Sequence, residues 1–317
     1  MTPVEMVAAC VLDAAIGDPL AMPHPVRWMG RVIVRVHGKV RQTCTGSVAL
    51  RAAGFLLAIG LPTMAFAAGW VVIAAGMAVH AWLGHLIGIA LASTTLAWRD
   101  LVDHVHAVSA ALQEGSLERA RQAVSLIVGR DTQDLSEAEV VRASVETIAE
   151  SACDGVIAPL VFLVVGGPPL ALAYKAVSTL DSMIGHPDEE YRDFGWASAK
   201  LDDVANWIPA RITGWLIAAA AGVVLMSAKA VKRSGVILLR DGHKHPSPNS
   251  GRPEAAMAGA LGVQLGGVNF YEGRRAERPV LGDAETALSV MQVDQAASIM
   301  TVAYLMAIAL AVRLVWR

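Results

Sequence analysis

The chain has 317 residues, 55% hydrophobic and 17% charged, with a formal net charge of −2 and a mean hydropathy of +0.48. Soluble domains carry about 25% charged residues, so this composition excludes an ordinary water-soluble globule and points to an integral membrane protein. No basic stripe is interleaved with aromatics, which excludes nucleic-acid binding, and the odd, scattered Cys10, Cys44 and Cys153 exclude a disulfide framework or a cysteine zinc site.

In chain order, the N-terminus has no charged region followed by a small-residue cleavage site, so no removable signal peptide is expected. Residues 3–16 are apolar but short and carry Glu5 and Asp13. They predict a tilted or partial span, or a helix packed within a bundle. Residues 13–31 read DAAIGDPLAMPHPVRWMGR. Asp18-Pro19 and His24-Pro25 impose extended or turn geometry, which gathers Asp18, His24 and Arg27 at a membrane boundary, with Trp28 as an interfacial anchor. Arg35, Lys39 and Arg41 then favour the cytoplasmic side. Residues 52–98 are nearly free of charge and long enough for two helices with a turn near 69–76. His80 and His85 fall inside them, either as functional intramembrane groups or as core histidines satisfied by backbone.

Residues 99–129 are amphipathic, with Leu101, Val105, Val108 and Leu112 at helical spacing. Gly115-Ser116 breaks the run, and Ser116 can cap a second helix, giving a solvent-side helical hairpin with Arg119 and Arg121 exposed. Ser136 and Glu139 form a capping box that opens a helix running to about Cys153. Arg142, Glu146, Glu150 and Asp154 follow at spacings of four, on roughly one face. That stripe is either a solvated face or a set of oxygen ligands for Mg²⁺.

Residues 156–165 are apolar and end at GGPP, residues 166–169. Lys175, Asp181 and Ser182 precede a turn at Gly185-His186-Pro187. Asp202, Asp203 and Asn206 come next, with Asp202 and Asn206 on one helical face, and Arg211 follows Pro209. Counting 156–172 as a crossing would put 175–211 on the opposite side from its neighbours. Either that stretch is re-entrant, or the chemistry sits at membrane depth, where irregular backbone must be buried or line a cavity. Residues 212–228 and 296–312 are each long enough to cross a bilayer. Arg274, Arg275 and Arg278 add positive charge between them.

The most polar stretch, residues 240–271, reads RDGHKHPSPNSGRPEAAMAGALGVQLGGVNFY. Its prolines and glycines forbid a regular helix through His243, Lys244, His245, Ser247, Asn249, Ser250 and Arg252. A helix starts near Pro253, and its Ala/Gly-rich run permits close approach of another backbone. The stretch predicts a polar loop that delivers donors to a helix N-terminus, a good place for an anion.

Several motifs carry a family resemblance: LDAAIGDPLAMPHPVRWMGR, VGRDT, ETIAESACDGVIAPL, YKAVSTLDSMIGH, FGWASAKLDDVANWIPAR and DGHKHPSPNSGRPEAAMAGALGVQLGG. Over nearly the whole chain, and in the same order, they resemble the adenosylcobinamide-phosphate synthase family of cobalamin biosynthesis, the CbiB/CobD type. The chain departs from that pattern at Ser151 and Ser178, where Asn is expected, and at Arg252, where an aromatic is common. The resemblance implies an all-α, polytopic helical bundle of the bacterial inner membrane, a single domain over residues 1–317. It implies an enzyme that uses ATP and Mg²⁺ to join adenosylcobyric acid to (R)-1-amino-2-propanol or its O-phosphate. The corrinoid is substrate, the lipid bilayer is a partner, and there is room for a homo-oligomer.

On that reading the expected catalytic residues are His24, Lys244, His245 and Glu150, with His24 or His245 as the base for the ammonium proton. Arg27, Arg130, Lys175, Ser247, Asn249, Ser250, Arg252 and Gln264 are expected to hold substrate or phosphate. Glu146, Glu150, Asp154, Asp181, Asp202 and Asp203 are expected to serve Mg²⁺. No Walker sequence is present, so nucleotide binding would be non-standard. Two other readings stay open, a transporter with an intramembrane ion path and a non-catalytic membrane sensor.

Overall fold

The computed structural model describes residues 1–316 apart from 20–22, 45, 187 and 189. Pro187 of the expected turn and the terminal Arg317 lie outside the described residues. The helices are α1 (Pro3–Ile16), α2 (Pro25–Thr43), α3 (Ser47–Val79), α4 (Ala81–Ser93), α5 (Trp98–Gln113), α6 (Leu117–Ser125), α7 (Glu137–Ser151), α8 (Ala158–Ile184), α9 (Trp196–Ala205), α10 (Trp207–Val224), α11 (Ala228–Asp241), α12 (Gly251–Leu261) and α13 (Val290–Val315). A π-helical turn, Ala152–Ile157, joins α7 to α8. The strands β1 (Leu265–Tyr271) and β2 (Arg274–Leu281) pair as one antiparallel hairpin. Among the described residues, five helical stretches are long and apolar enough to cross a membrane: Ser47–Val79, Ala81–Gln113, Glu137–Ile184, Trp207–Val224 and Val290–Val315. The chain is an all-α polytopic membrane protein carrying a small two-stranded sheet.

It divides into two compact units. The first holds Met1–Ala97, Ala158–Asn206 and Leu310–Arg317, and the second holds Trp98–Ile157 and Trp207–Ala309.

In the first unit, α3 runs unbroken to Val79, so the turn expected near 69–76 comes instead at His80. Gly69 and Gly76 serve close packing there: a Cβ at Gly69 would meet Leu172 at 2.8 Å, and one at Gly76 would lie 3.1 Å from Gly84 Cα. His80 caps α4, its Nδ1 accepting from Trp82 N–H at 3.3 Å, and His85 pairs with Glu5 of α1. Leu57 and Leu61 of α3 and Met29 and Ile33 of α2 pack on Leu172, Ala176, Leu180 and Ile184 of α8.

α8 is not one rod. Gly166 (φ −143°) and Gly167 (φ 67°) leave helical geometry, and Phe162 stacks on Tyr174 with ring centroids 4.6 Å apart. Twelve residues of continuous helix would separate those rings by about 18 Å. The chain therefore reverses at 166–167, and residues 158–165 and 168–184 form an antiparallel helical hairpin. Residues 156–172 therefore do not form one continuous crossing helix.

In the second unit, α5 and α6 form the expected amphipathic hairpin. Ser116 accepts from Arg119 N–H at 3.4 Å, although Arg121 is half-buried and donates to Leu135 O at 2.7 Å. Val108, Ala111, Ala120, Val124, Val140 and Ala143 make the core between α5, α6 and α7. The Ser136–Glu139 capping box is present. The Ala/Gly-rich run of α12 does admit a neighbouring backbone, since a Cβ on Gly259 would sit 2.7 Å from Ser234 Cα of α11. α12 begins at Gly251, two residues before the expected start. The β-hairpin is not among the sequence expectations. Its two-residue turn, Glu272-Gly273, has both φ positive (51° and 74°), the geometry of a tight type I′ hairpin.

Candidate functional site

The second unit gathers the polar motifs around the hairpin. Arg130 donates to Asn269 Oδ1 at 2.9 Å and pairs with Glu146. Arg142 donates to Gly266 O, to Val268 O at 3.0 Å and to Asn269 Oδ1 at 3.0 Å. Glu146 Oε1 accepts from Gly266 N–H at 2.7 Å. Asp131 accepts from Glu272 N–H at 3.0 Å and Gly273 N–H at 2.7 Å, which fixes the hairpin tip. All of Arg130, Arg142, Glu146 and Asn269 are buried. Glu146, expected as a metal ligand, is held instead between two guanidinium groups and a backbone N–H, and works as a strut between α7 and β1. Breaking such a buried pair costs about 3–5 kcal/mol, because the remaining charge is left uncompensated.

One turn further along α7, Glu150 Oε1 accepts from Ser250 Oγ at 3.0 Å. Ser247 Oγ accepts from the N–H groups of Asn249 and Ser250, both at 3.3 Å. Asp154 lies in the π turn, where the repeat is i,i+5, so the spacing-of-four argument stops at Glu150. His245 Nδ1 accepts from Ser247 N–H at 3.0 Å, which anchors the loop. Its Nε2 lies 3.4 Å from Arg278 Nη1 and 3.9 Å from Glu254 Oε1. Burial holds its pKa below the ordinary histidine value, and the Arg278 charge adds to that.

Glu254 is buried, and Oε1 has no hydrogen-bond partner. Burial raises its carboxyl well above the usual range, and the charges of Glu150 and Glu146 add to this against Arg278 and Arg130. Arg278 shows the reverse balance. Burial opposes its charge, but Tyr271, Glu254, Glu150 and Glu146 outweigh burial and raise its pKa.

Lys244 is half-exposed and pairs with buried Asp241 at 2.6 Å. Asp241 also accepts from Arg240 at 2.9 and 2.7 Å and from Gly282 N–H at 2.9 Å. Burial acts to raise the Asp241 carboxyl, but those hydrogen bonds outweigh it and hold the group far below the carboxylate range. Arg252 is half-buried, with Nε unpartnered, and Asn249 is buried, while Gln264 is exposed. Asp241, Glu254, Asn269 and Arg278 belong to this site and were not among its expected residues.

The remaining expected residues lie in the first unit. His24 Nε2 sits 3.0 Å from Asp18 Oδ1, and Arg27 donates to Pro19 O at 2.7 Å, so that cluster forms as expected. Asp202 Oδ1 accepts from Asn206 Nδ2 at 3.0 Å, and Asn206 Oδ1 accepts from Tyr174 at 2.9 Å. Asp203 pairs with Lys200 at 3.1 Å. Lys175 and Asp181 lie on the second leg of α8. Among the described residues, no three His, Cys, Asp or Glu side chains form a metal cage.

The family model described as CobD/Cbib protein matches residues 6–300. The chain is 45% identical to the cobalamin biosynthesis protein CbiB of Salmonella typhi, over 98% of this chain and 96% of that one. It is 44% identical to the cobalamin biosynthesis protein CobD of Klebsiella pneumoniae and 42% identical to that of Photorhabdus laumondii, each over 98% of this chain and 96% of the relative. No solved structure matches. A family match across most of the length and relatives above 40% identity make this protein a member of the CobD/CbiB family of cobalamin biosynthesis.

Proposed function

We propose that this chain is an ATP-dependent amide ligase of the bacterial inner membrane, joining adenosylcobyric acid to (R)-1-amino-2-propanol or its O-phosphate. The observation that carries the reading is the part-buried hydrogen bond from Ser250 to Glu150, near Glu254 and the Arg278 and Arg130 charges. The residues fit a nucleotide phosphate in two respects. Buried Asn269 Nδ2 and half-buried Arg252 Nε are donors without partners, as an anion requires. Mg²⁺ is usually held by one or two carboxylates plus phosphate oxygens, so the lack of a protein cage among the described residues suits it, with Glu150 as the ligand at hand.

ATP with Mg²⁺ would supply the phosphoryl group that turns the substrate carboxylate into an acyl phosphate, from which the amine displaces inorganic phosphate as the amide bond forms. The chain's part is positioning and charge. Arg278, Arg130 and Lys244 offset negative charge on the migrating group. Ser247, Asn249 and Ser250 line the loop that meets it. The ammonium must lose a proton before its lone pair can attack, and His24 or His245 is the expected base. The expectation that Asp154, Asp181, Asp202 and Asp203 assist the metal or the amine belongs to the same proposal.

The test is turnover with purified protein, adenosylcobyric acid, each amine form, ATP and Mg²⁺, with the product identified by mass. Glu150→Gln and Lys244→Ala are each expected to lower product formation by roughly 10²-fold or more, with the protein still membrane-inserted. Normal turnover in both would remove the assignment.

A further inference from the structure

The reaction proposed above leaves a row of cations on α2 unused. The helix reads PVRWMGRVIVRVHGKVRQT and contains no acid. Arg31, Arg35 and Lys39 recur at spacings of four, which puts them on one helical face, and all three are exposed. Among the described residues none of the three forms an ion pair. By contrast, Arg51 of α3 pairs with Asp193 at 2.9 Å. Like charges at i,i+4 repel, so the row calls for counter-charge from outside the protein.

The place of α2 in the first unit says what can supply that charge. α3 and the second leg of α8 run antiparallel. A Cβ on Gly69 would lie 3.4 Å from Pro169 Cα, and one on Gly54 would meet Phe194, just beyond the end of α8 at Ile184. α2 is fastened at that same end. A Cβ on Gly30 would lie 3.3 Å from Met183 Sδ in the last turn of α8, and the His37 ring packs on Phe194 with centroids 5.2 Å apart. The surface of α3 changes from charged to apolar at this level, where Arg51 is followed by exposed Phe55 and Leu56. With Arg27, Arg31, Arg35, Lys39 and Arg41, α2 is too charged to cross the bilayer itself. It lies where the crossing helix α3 enters the apolar layer.

The orientation of α2 about its own axis completes the argument. Met29 and Ile33 are buried on α8 and α3, so the cationic row faces away from the protein. Trp28 and Val34 fall about 60° to either side of Arg31 on the helix, and they are 56% and 61% exposed. Cations edged by an exposed indole and an exposed valine suit the headgroup layer of a membrane. The guanidinium fork matches phosphate oxygens.

We infer that the Arg31, Arg35 and Lys39 face of α2 binds the phosphate headgroups of anionic phospholipids in the surrounding bilayer. Zwitterionic lipids carry the same phosphate beside a cation of their own, so net negative charge selects between them. This surface does not depend on the ligase reading and stands whether or not an amide is formed.

Native mass spectrometry of the full chain in detergent tests the inference, with phosphatidylglycerol and phosphatidylcholine of matched acyl chains as probes. Phosphatidylglycerol is expected to bind about tenfold more tightly or better. Arg31→Gln/Arg35→Gln/Lys39→Gln should remove most of that preference at an unchanged melting temperature. Arg274→Gln/Arg275→Gln, which neutralises exposed cations on the β-hairpin instead, should leave it intact. Equal affinity for the two lipids in the wild type, a preference that survives in the triple variant, or an equal loss in both variants would overturn the inference. Displacement of phosphatidylglycerol by equimolar glycerol 3-phosphate would also overturn it, and would mark a site for soluble phosphates instead. If the triple variant fails to fold, Arg35→Gln and Lys39→Gln decide singly: each is expected to lower the preference several-fold, and no change in either would sink the idea.

Discussion

Glu254 shows how a residue's surroundings choose its protonation state. A carboxyl whose folded pKa lies above its unfolded value binds its proton more tightly when folded, so the fold loses stability as pH rises from the ordinary carboxylate range toward the folded value. For Glu254 the shift is upward, driven first by burial and then by Glu150 and Glu146. Glu254→Gln is neutral at every pH and removes that loss. Variant and wild type are expected to melt at similar temperatures near pH ~4.5, close to the unfolded glutamate pKa, with the variant gaining steadily as pH rises toward 8. A melting difference that stays flat across that interval would mean that Glu254 is ionised in the fold. Nothing in the local sequence marks this residue. It reads as a helix first-turn acid beside Pro253, and its raised pKa comes from burial and then from Glu150 and Glu146 on α7, which sequence separation hides.

At the scale of elements, the two hairpins differ in how far they could be read. GGPP at 166–169 announces a break. The stack of Phe162 on Tyr174 shows that the chain reverses there, a contact between legs that hydropathy treats alike. A Phe162→Cys/Tyr174→Cys pair is expected to cross-link with a short bifunctional thiol reagent. A continuous helix would hold the two about 18 Å apart, so failure of a short linker would rule out the reversal. The β-hairpin had a legible turn in Glu272-Gly273, but its strands lack clean alternation. β1 is fastened by Arg130, Arg142 and Glu146 more than by a buried face, and those partners lie more than a hundred residues away.

For the whole molecule, composition and apolar run length predicted a membrane protein before any contact was known. The outward residues agree: Phe55, Leu56, Trp70 and Trp82 are each more than half exposed, a surface that water does not tolerate in bulk. The protein is expected to stay with the membrane through an alkaline carbonate wash and to leave only in detergent. Release by carbonate would refute the spans.

Hydropathy, helix caps and turn residues are local properties, so the sequence by itself determined the all-helical membrane architecture, the Ser136 and Ser116 caps, the break at GGPP and the membership carried by contiguous motifs. Which polar residues meet is a matter of long-range closure. Only the tertiary structure decided that Glu146 is a strut, that His245 is an anchor and that Asp241 collects donors from Arg240, Lys244 and Gly282. The physical reason is that a charge buried in low dielectric takes its state from whichever partners the fold brings within a few ångströms, and spacing along one helix gives no measure of those partners.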